Sequence, residues 1–165
     1  MEQNKQIARK SPEKYLCFSL GQEEYALPLL QVKEVIEIPE VSPVPRTPHY
    51  YRGIMNLRGL VISIIDLQLK LLKKEITVSP KTAVIILDFQ EFYLGIMVNS
   101  INRVIDLDDT DIQARPKMES IDSLDYIKGV SQCEKSMILI LDVYKALSID
   151  DIEVMQSQNM NKSVA

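Results

Sequence analysis

The chain repeats itself. Seven residue pairs share one offset: Tyr50, Gly53, Ile62, Ile64, Asp66, Leu67 and Leu71 match Tyr126, Gly129, Ile138, Ile140, Asp142, Val143 and Leu147, each 76 positions further on. In both copies a glycine opens a strand, a near-continuous aliphatic run follows (VISII, MILIL), and an aspartate ends it. Short aliphatic runs bounded by turn residues read as buried strands. An aspartate at that point can accept a bond from the free N–H groups of a first helical turn, so a short helix is expected after each run. Leu67 and Leu71, like Val143 and Leu147, stand one helical turn apart. A duplicated pattern requires one architecture built twice.

The earlier parts of the two copies align as well. YLCFSLGQEEYALPLL (15–30) lies over AVIILDFQEFYLGIMV (83–98), which sets Gln22-Glu23 on Gln90-Glu91 and Tyr25 on Tyr93 at an offset of 68. After one inserted residue, Val35-Ile36-Glu37-Ile38 lies over Val104-Ile105-Asp106-Leu107, and Pro45 and Pro116 fall in corresponding loops. The expectation is a mainly β protein of two subdomains, about 15–80 and 81–148, each a small barrel of about five short strands with a little helix. Residues 1–14 and 149–165 are expected to be flexible ends.

With 165 residues and 46% hydrophobic content, the chain can bury a real core. No stretch reaches the ~20 uninterrupted apolar residues of a membrane span, and the start, MEQNKQIARKSPEK, is polar. A cytoplasmic protein without direct membrane insertion is expected. A net charge of −4 opposes sequence-independent nucleic-acid binding, which needs a positive field; three Phe and no Trp offer few rings on which bases could stack.

Catalytic apparatus is missing from the pattern. Five glycines, each at a turn or strand edge, assemble neither GxGxxG nor a phosphate loop. The single histidine, His49, sits in the proline-rich loop PVPRTPHYYRG, and Cys17 and Cys133 lie far apart beside apolar residues, reading as buried thiols. DLDDTD (106–111) lacks the spacing of a calcium loop and reads as a solvated turn. No catalytic residue, metal ligand or cofactor is expected.

Charge is unevenly spread. No acidic residue occurs from Val41 to Ile65, where Arg46, Arg52 and Arg58 all fall, so one face of the first half is expected to be basic and suited to an acidic protein partner. Arg58 stands in Asn56-Leu57-Arg58-Gly59, a turn signal before VISII. The counterpart segment GVSQCEKSMILILDV keeps the glycine, the run and the aspartate, but offers Glu134 one place from the position of Arg58.

Taken in order, YALPLLQVKEVIEI, VSPVPRTPHYYRGIMNLRG, VISIIDL, YLGIMVNSINRVIDL and YIKGVSQCEKSMILILDV resemble the CheW-like coupling proteins of bacterial chemotaxis, over about 15–148. The resemblance implies two five-stranded, SH3-like barrels in pseudo-symmetric arrangement. It implies a non-enzymatic adaptor joining the cytoplasmic tip of methyl-accepting chemotaxis receptors to the regulatory domain of the histidine kinase CheA, within membrane-associated arrays. Carried over by position, Val32, Glu34, Arg58, Ile101 and Val104 would face the receptor in a groove between subdomains, with Glu34 and Arg58 paired. Arg52, Gly53 and Ile54 would face the kinase. The chain departs from the family pattern at Ser63, often Pro; at Gln68, often Arg; and at Asn99, where Asp is expected.

Overall fold

The computed structural model describes residues 11–114 and 125–147. Residues 1–10, the 149–165 tail and Pro116 lie outside the described residues. The strands are β1 (Glu13–Leu20), β2 (Glu23–Pro28), β3 (Val32–Glu37), β4 (Tyr51–Leu57), β5 (Leu60–Asp66), β6 (Ala83–Asp88), β7 (Tyr93–Val98), β8 (Ser100–Leu107), β9 (Ile112–Gln113), β10 (Ile127–Cys133) and β11 (Ser136–Leu141). Two short helices, α1 (Leu67–Leu72) and α2 (Val143–Ala146), follow β5 and β11.

Among the described residues the strands form two mixed sheets, a six-stranded one ordered β8-β1-β2-β11-β10-β9 and a five-stranded one ordered β3-β6-β7-β5-β4. Replacing each strand of the second by its repeat mate reproduces the first five of the other. The pair types agree too: antiparallel, antiparallel, parallel, antiparallel. The sheets do not follow the two sequence halves, however. The β1–β2 hairpin of the first half joins β8 to β11 of the second, while the β6–β7 hairpin joins β3 to β5. A division near residue 80 separates the copies of the repeat and not the sheets.

The pairing also corrects the offset over the first three strands. Leu16 pairs with Leu27 and Ile85 with Ile96; Val32 pairs with Leu87 and Ile101 with Phe18. The offset is therefore 69 throughout, with no insertion before β3. A one-residue slip would turn every side chain to the opposite face. The mate of Tyr25, buried in the shared core, is Leu94, and Tyr93 takes the position of Glu24.

Three apolar clusters explain why so many strands lack an inside-outside alternation. One fills the five-stranded unit with Met55, Ile62, Ile64, Val84, Ile86 and Met97. A second fills the six-stranded unit with Tyr15, Cys17, Ala26, Ile138 and Ile140. The third lies between them and draws on both halves: Leu16, Phe18, Leu27, Ile65, Ile85, Leu87, Ile96 and Leu141 belong to it. The central strands are buried on both faces, so they read as continuous aliphatic runs. Each such side chain contributes about 1.5–3 kcal/mol on burial.

The 76-residue offset holds in detail. Both hairpins shift register where the glycine stands, between Tyr51 and Gly53 and between Ile127 and Gly129. Asp66 N donates to Tyr50 O at 2.8 Å, and Asp142 N to Tyr126 O at 2.7 Å. Both aspartates then cap a helix, Asp66 accepting from Leu69 N and Asp142 from Lys145 N. Arg58 and Glu134 occupy the same turn position, φ 49° and 56°, so Glu134 is the mate of Arg58 and not its neighbour.

Candidate partner-binding surfaces

The NLRG turn is built by its own residues. A two-residue hairpin loop that matches strand twist needs left-handed backbone. Arg58 (φ 49°) and Gly59 (φ 88°) supply it, and Asn56 Oδ1 accepts from Gly59 N at 2.9 Å. The turn thus aims Arg58 outward. Its Nη2 lies 2.7 Å from Glu34 Oε2, with Arg58 70% exposed and Glu34 24%. Because β3 and β4 are the two edges of their sheet, this pair forms only where the sheet has curled until its edges meet. Val32 lies on the same edge strand, half-buried against the shared core, and Val35 beside it is exposed.

Ile101 and Val104 belong to the other sheet. Both are on β8, the edge of the six-stranded sheet, where they are the repeat mates of Val32 and Val35. The structure sets Val32 and Glu34 on the edge strand β3 with Arg58 bonded to Glu34, and Ile101 and Val104 on the pseudo-equivalent edge strand β8; Val32 and Ile101 both pack against the core shared by the two sheets. The charges of the β8 edge are reversed. Arg103 takes the place of Glu34, and Glu134 that of Arg58, but Arg103 turns to Glu24 at 2.9 Å, which Asn102 also contacts. Glu24 was not foreseen as a site residue; only the corrected offset, which sets Arg103 over Glu34, signals this pair.

The third group divides by burial. Gly53 is buried with φ 134°, and a Cβ there would collide with the Ser42 carbonyl oxygen. It permits the close pairing in which Ser42 N donates to Ile54 O and Ile54 N to Ser42 O. Its part is to place Ile54 and Arg52, which are half-buried. Arg52 Nη1 lies 2.6 Å from Glu75 Oε1, a partner supplied by the segment after α1. Beside it opens a cavity of about 410 Å³ lined by Ile38, Val41, His49, Tyr51, Arg52 and Met97, among others. The basic face expected over Val41–Ile65 is therefore largely neutralised, because Glu75 and Glu34 reach two of its three arginines from outside that stretch.

Gln68 and Asn99 meet at one donor. Gly21 N lies 3.0 Å from Gln68 Oε1 and 2.9 Å from Asn99 Oδ1, while Gln68 Nε2 donates to Lys74 O. A neutral pair at this place ties the β1–β2 turn to the segment that carries Glu75. Burial, above all, raises the hydroxyls of the buried Tyr15, Tyr25 and Tyr51 and of the half-buried Tyr126. Among the described residues no cluster of three His, Cys, Asp or Glu stands ready for a metal, and no helix is long and apolar enough to cross a membrane.

Comparison with known proteins follows the same lines. A family model described as a CheW-like domain matches residues 14–151. A chemotaxis protein CheW of Klebsiella aerogenes is 29% identical over 145 residues, covering 88% of this chain and 87% of its own length. One of Treponema pallidum is 32% identical over 142 residues, covering 84% of each. The crystal structure of the scaffolding protein TtCheW from Thermoanaerobacter tengcongensis superimposes with a TM-score of 0.75 at 28% identity, over 88% of this chain and 94% of that one.

Proposed function

The chain belongs to the CheW-like domain family, and from that premise we propose that it is a non-enzymatic scaffold that couples methyl-accepting chemoreceptors to the histidine kinase CheA. What supports the reading is the match of residues 14–151 to the CheW-like domain family, on a fold that superimposes on the scaffolding protein TtCheW with a TM-score of 0.75. Receptor contacts are assigned to Val32, Glu34 and Arg58, with Ile101 and Val104 on the pseudo-equivalent edge. Kinase contacts are assigned to Arg52 and Ile54, with Gly53 shaping the strand beneath them. The protein works in the cytoplasm, at the membrane arrays of its receptors.

No bond is made or broken in this role. A scaffold that holds receptor and kinase together makes the second contact effectively intramolecular, so modest affinities suffice. The aliphatic residues of each patch supply the buried contact area, and the exposed ion pair orients the partner.

The test is co-assembly of the protein with CheA and receptor cytoplasmic fragments, for wild type, Arg58→Ala and Val32→Asp. Loss of receptor capture with kinase capture retained supports the assignment. Unchanged assembly and kinase activity in both variants sinks it, and selective loss of the kinase transfers these residues to the other partner.

A further inference from the structure

The two cysteines share one interior. Cys17, wholly buried on β1, belongs to the core of the six-stranded unit, and Cys133, half-buried at the end of β10, packs against that same cluster. Their repeat mates, Ile86 and Leu57, both join the core of the other unit, so the fold turns both positions inward to a single space. Arg103 is the cross-strand partner of Cys17, and its guanidinium is held by Glu24 at 2.9 Å. Neither cysteine is engaged in a disulfide.

We propose that Cys133 and Cys17 form an oxidant-responsive pair, in which a hydroperoxide oxidises Cys133 and Cys17 resolves it to an intramolecular disulfide. The Cys133 thiolate attacks a peroxide oxygen; the O–O bond breaks, and hydrogen peroxide is reduced to one water as Cys133 becomes the sulfenic acid. The Cys17 sulphur then attacks the sulfenic sulphur. An S–S bond forms, the S–O bond breaks, and the hydroxyl leaves with the Cys17 proton as a second water. Two thiols and one peroxide give one disulfide and two waters.

The environments divide the roles. Cys133 is half-buried and so open to a small peroxide from the solvent side. Burial, with Glu24 adding to it, pushes the Cys17 thiol up to about 11, so it stays protonated and shielded from peroxide. It meets an oxidised sulphur only from inside the unit. The new bond would tie β1 to the tip of the β10–β11 hairpin and displace Arg103 on β8, the strand that carries Ile101 and Val104.

The experiment treats the reduced full chain with hydrogen peroxide, follows free thiols and intact mass, and maps peptides without reduction. The expected result is loss of both thiols, a monomer lighter by two hydrogens, and one cross-linked peptide pair holding Cys17 and Cys133, all reversed by dithiothreitol. Cys133→Ser should leave Cys17 unreacted, with an unchanged circular-dichroism spectrum showing that the variant folds. Sulfinic acid at Cys133 beside a free Cys17, disulfide-linked dimers in place of the monomer, or no reaction would each overturn the proposal.

Discussion

Arg58 Nη2 donates to Glu34 Oε2 at 2.7 Å, closing the gap between the two edges of the five-stranded sheet. The bond is at the surface, so its importance lies in where it holds the guanidinium.

Arg58→Ala should cost little stability. With Arg58 70% exposed, the pair contributes no more than about 1 kcal/mol. Urea denaturation should place the midpoint close to wild type while receptor co-assembly falls. A loss of several kcal/mol would show Arg58 to be a fold residue instead.

Gly53 and Gly59 both have positive φ, yet alanine should separate them. At Gly59 a Cβ meets nothing within 4 Å, so Gly59→Ala should cost about 1–2 kcal/mol of left-handed strain. At Gly53 it collides with the Ser42 carbonyl, and the two Ser42–Ile54 hydrogen bonds go with it. Gly53→Ala should cost at least ~3 kcal/mol, from strain and the lost bonds together. Equal unfolding midpoints for the two variants would refute the close-approach account.

Asp66 and Asp142 are repeat mates with unequal duties. Asp142 is a half-exposed cap, so Asp142→Ala should cost about 1 kcal/mol. Asp66 is wholly buried and accepts from both Leu69 N and Ile76 N. Asp66→Ala strands a buried N–H as well and should cost about 2–4 kcal/mol. Thermal unfolding of the two variants checks the order.

Stability should fall in alkali. Burial pushes Tyr25 up to about 12 from 10.0 and Cys17 up to about 11 from 9.0. The folded state holds these protons where the unfolded chain has released them, so their contribution is complete below about pH 9 and is lost as pH rises towards 12. Unfolding midpoints measured from pH 8 to 11.5 should decline, and Tyr25→Phe should flatten the part above pH 10. A profile unchanged by that substitution would show that Tyr25 does not carry it.

Local pattern made much of the fold legible. The glycine, aliphatic run and capping aspartate repeat at 76 residues because the same strand, register shift and helix start recur, and each is specified within a few neighbouring residues. The pairing of Arg58 with Glu34 was legible through family resemblance. The burial of Asp66, the partner of Arg52 and the joint hold of Gln68 and Asn99 on Gly21 were not. Ile76, Glu75 and Gly21 reach those sites by chain segments with no periodicity of their own.

By itself, the sequence determined that one β-rich pattern occurs twice, where its turns fall, and that Arg58 has no arginine counterpart. Only the tertiary structure decided that the hairpins exchange between sheets, that the first three strands repeat at 69 and not 68, and that the five proposed receptor residues come from the edges of two different sheets. The reason is physical. Side-chain alternation and turn chemistry act between near neighbours, whereas a strand chooses its partner and register by hydrogen bonds and core packing with residues far along the chain.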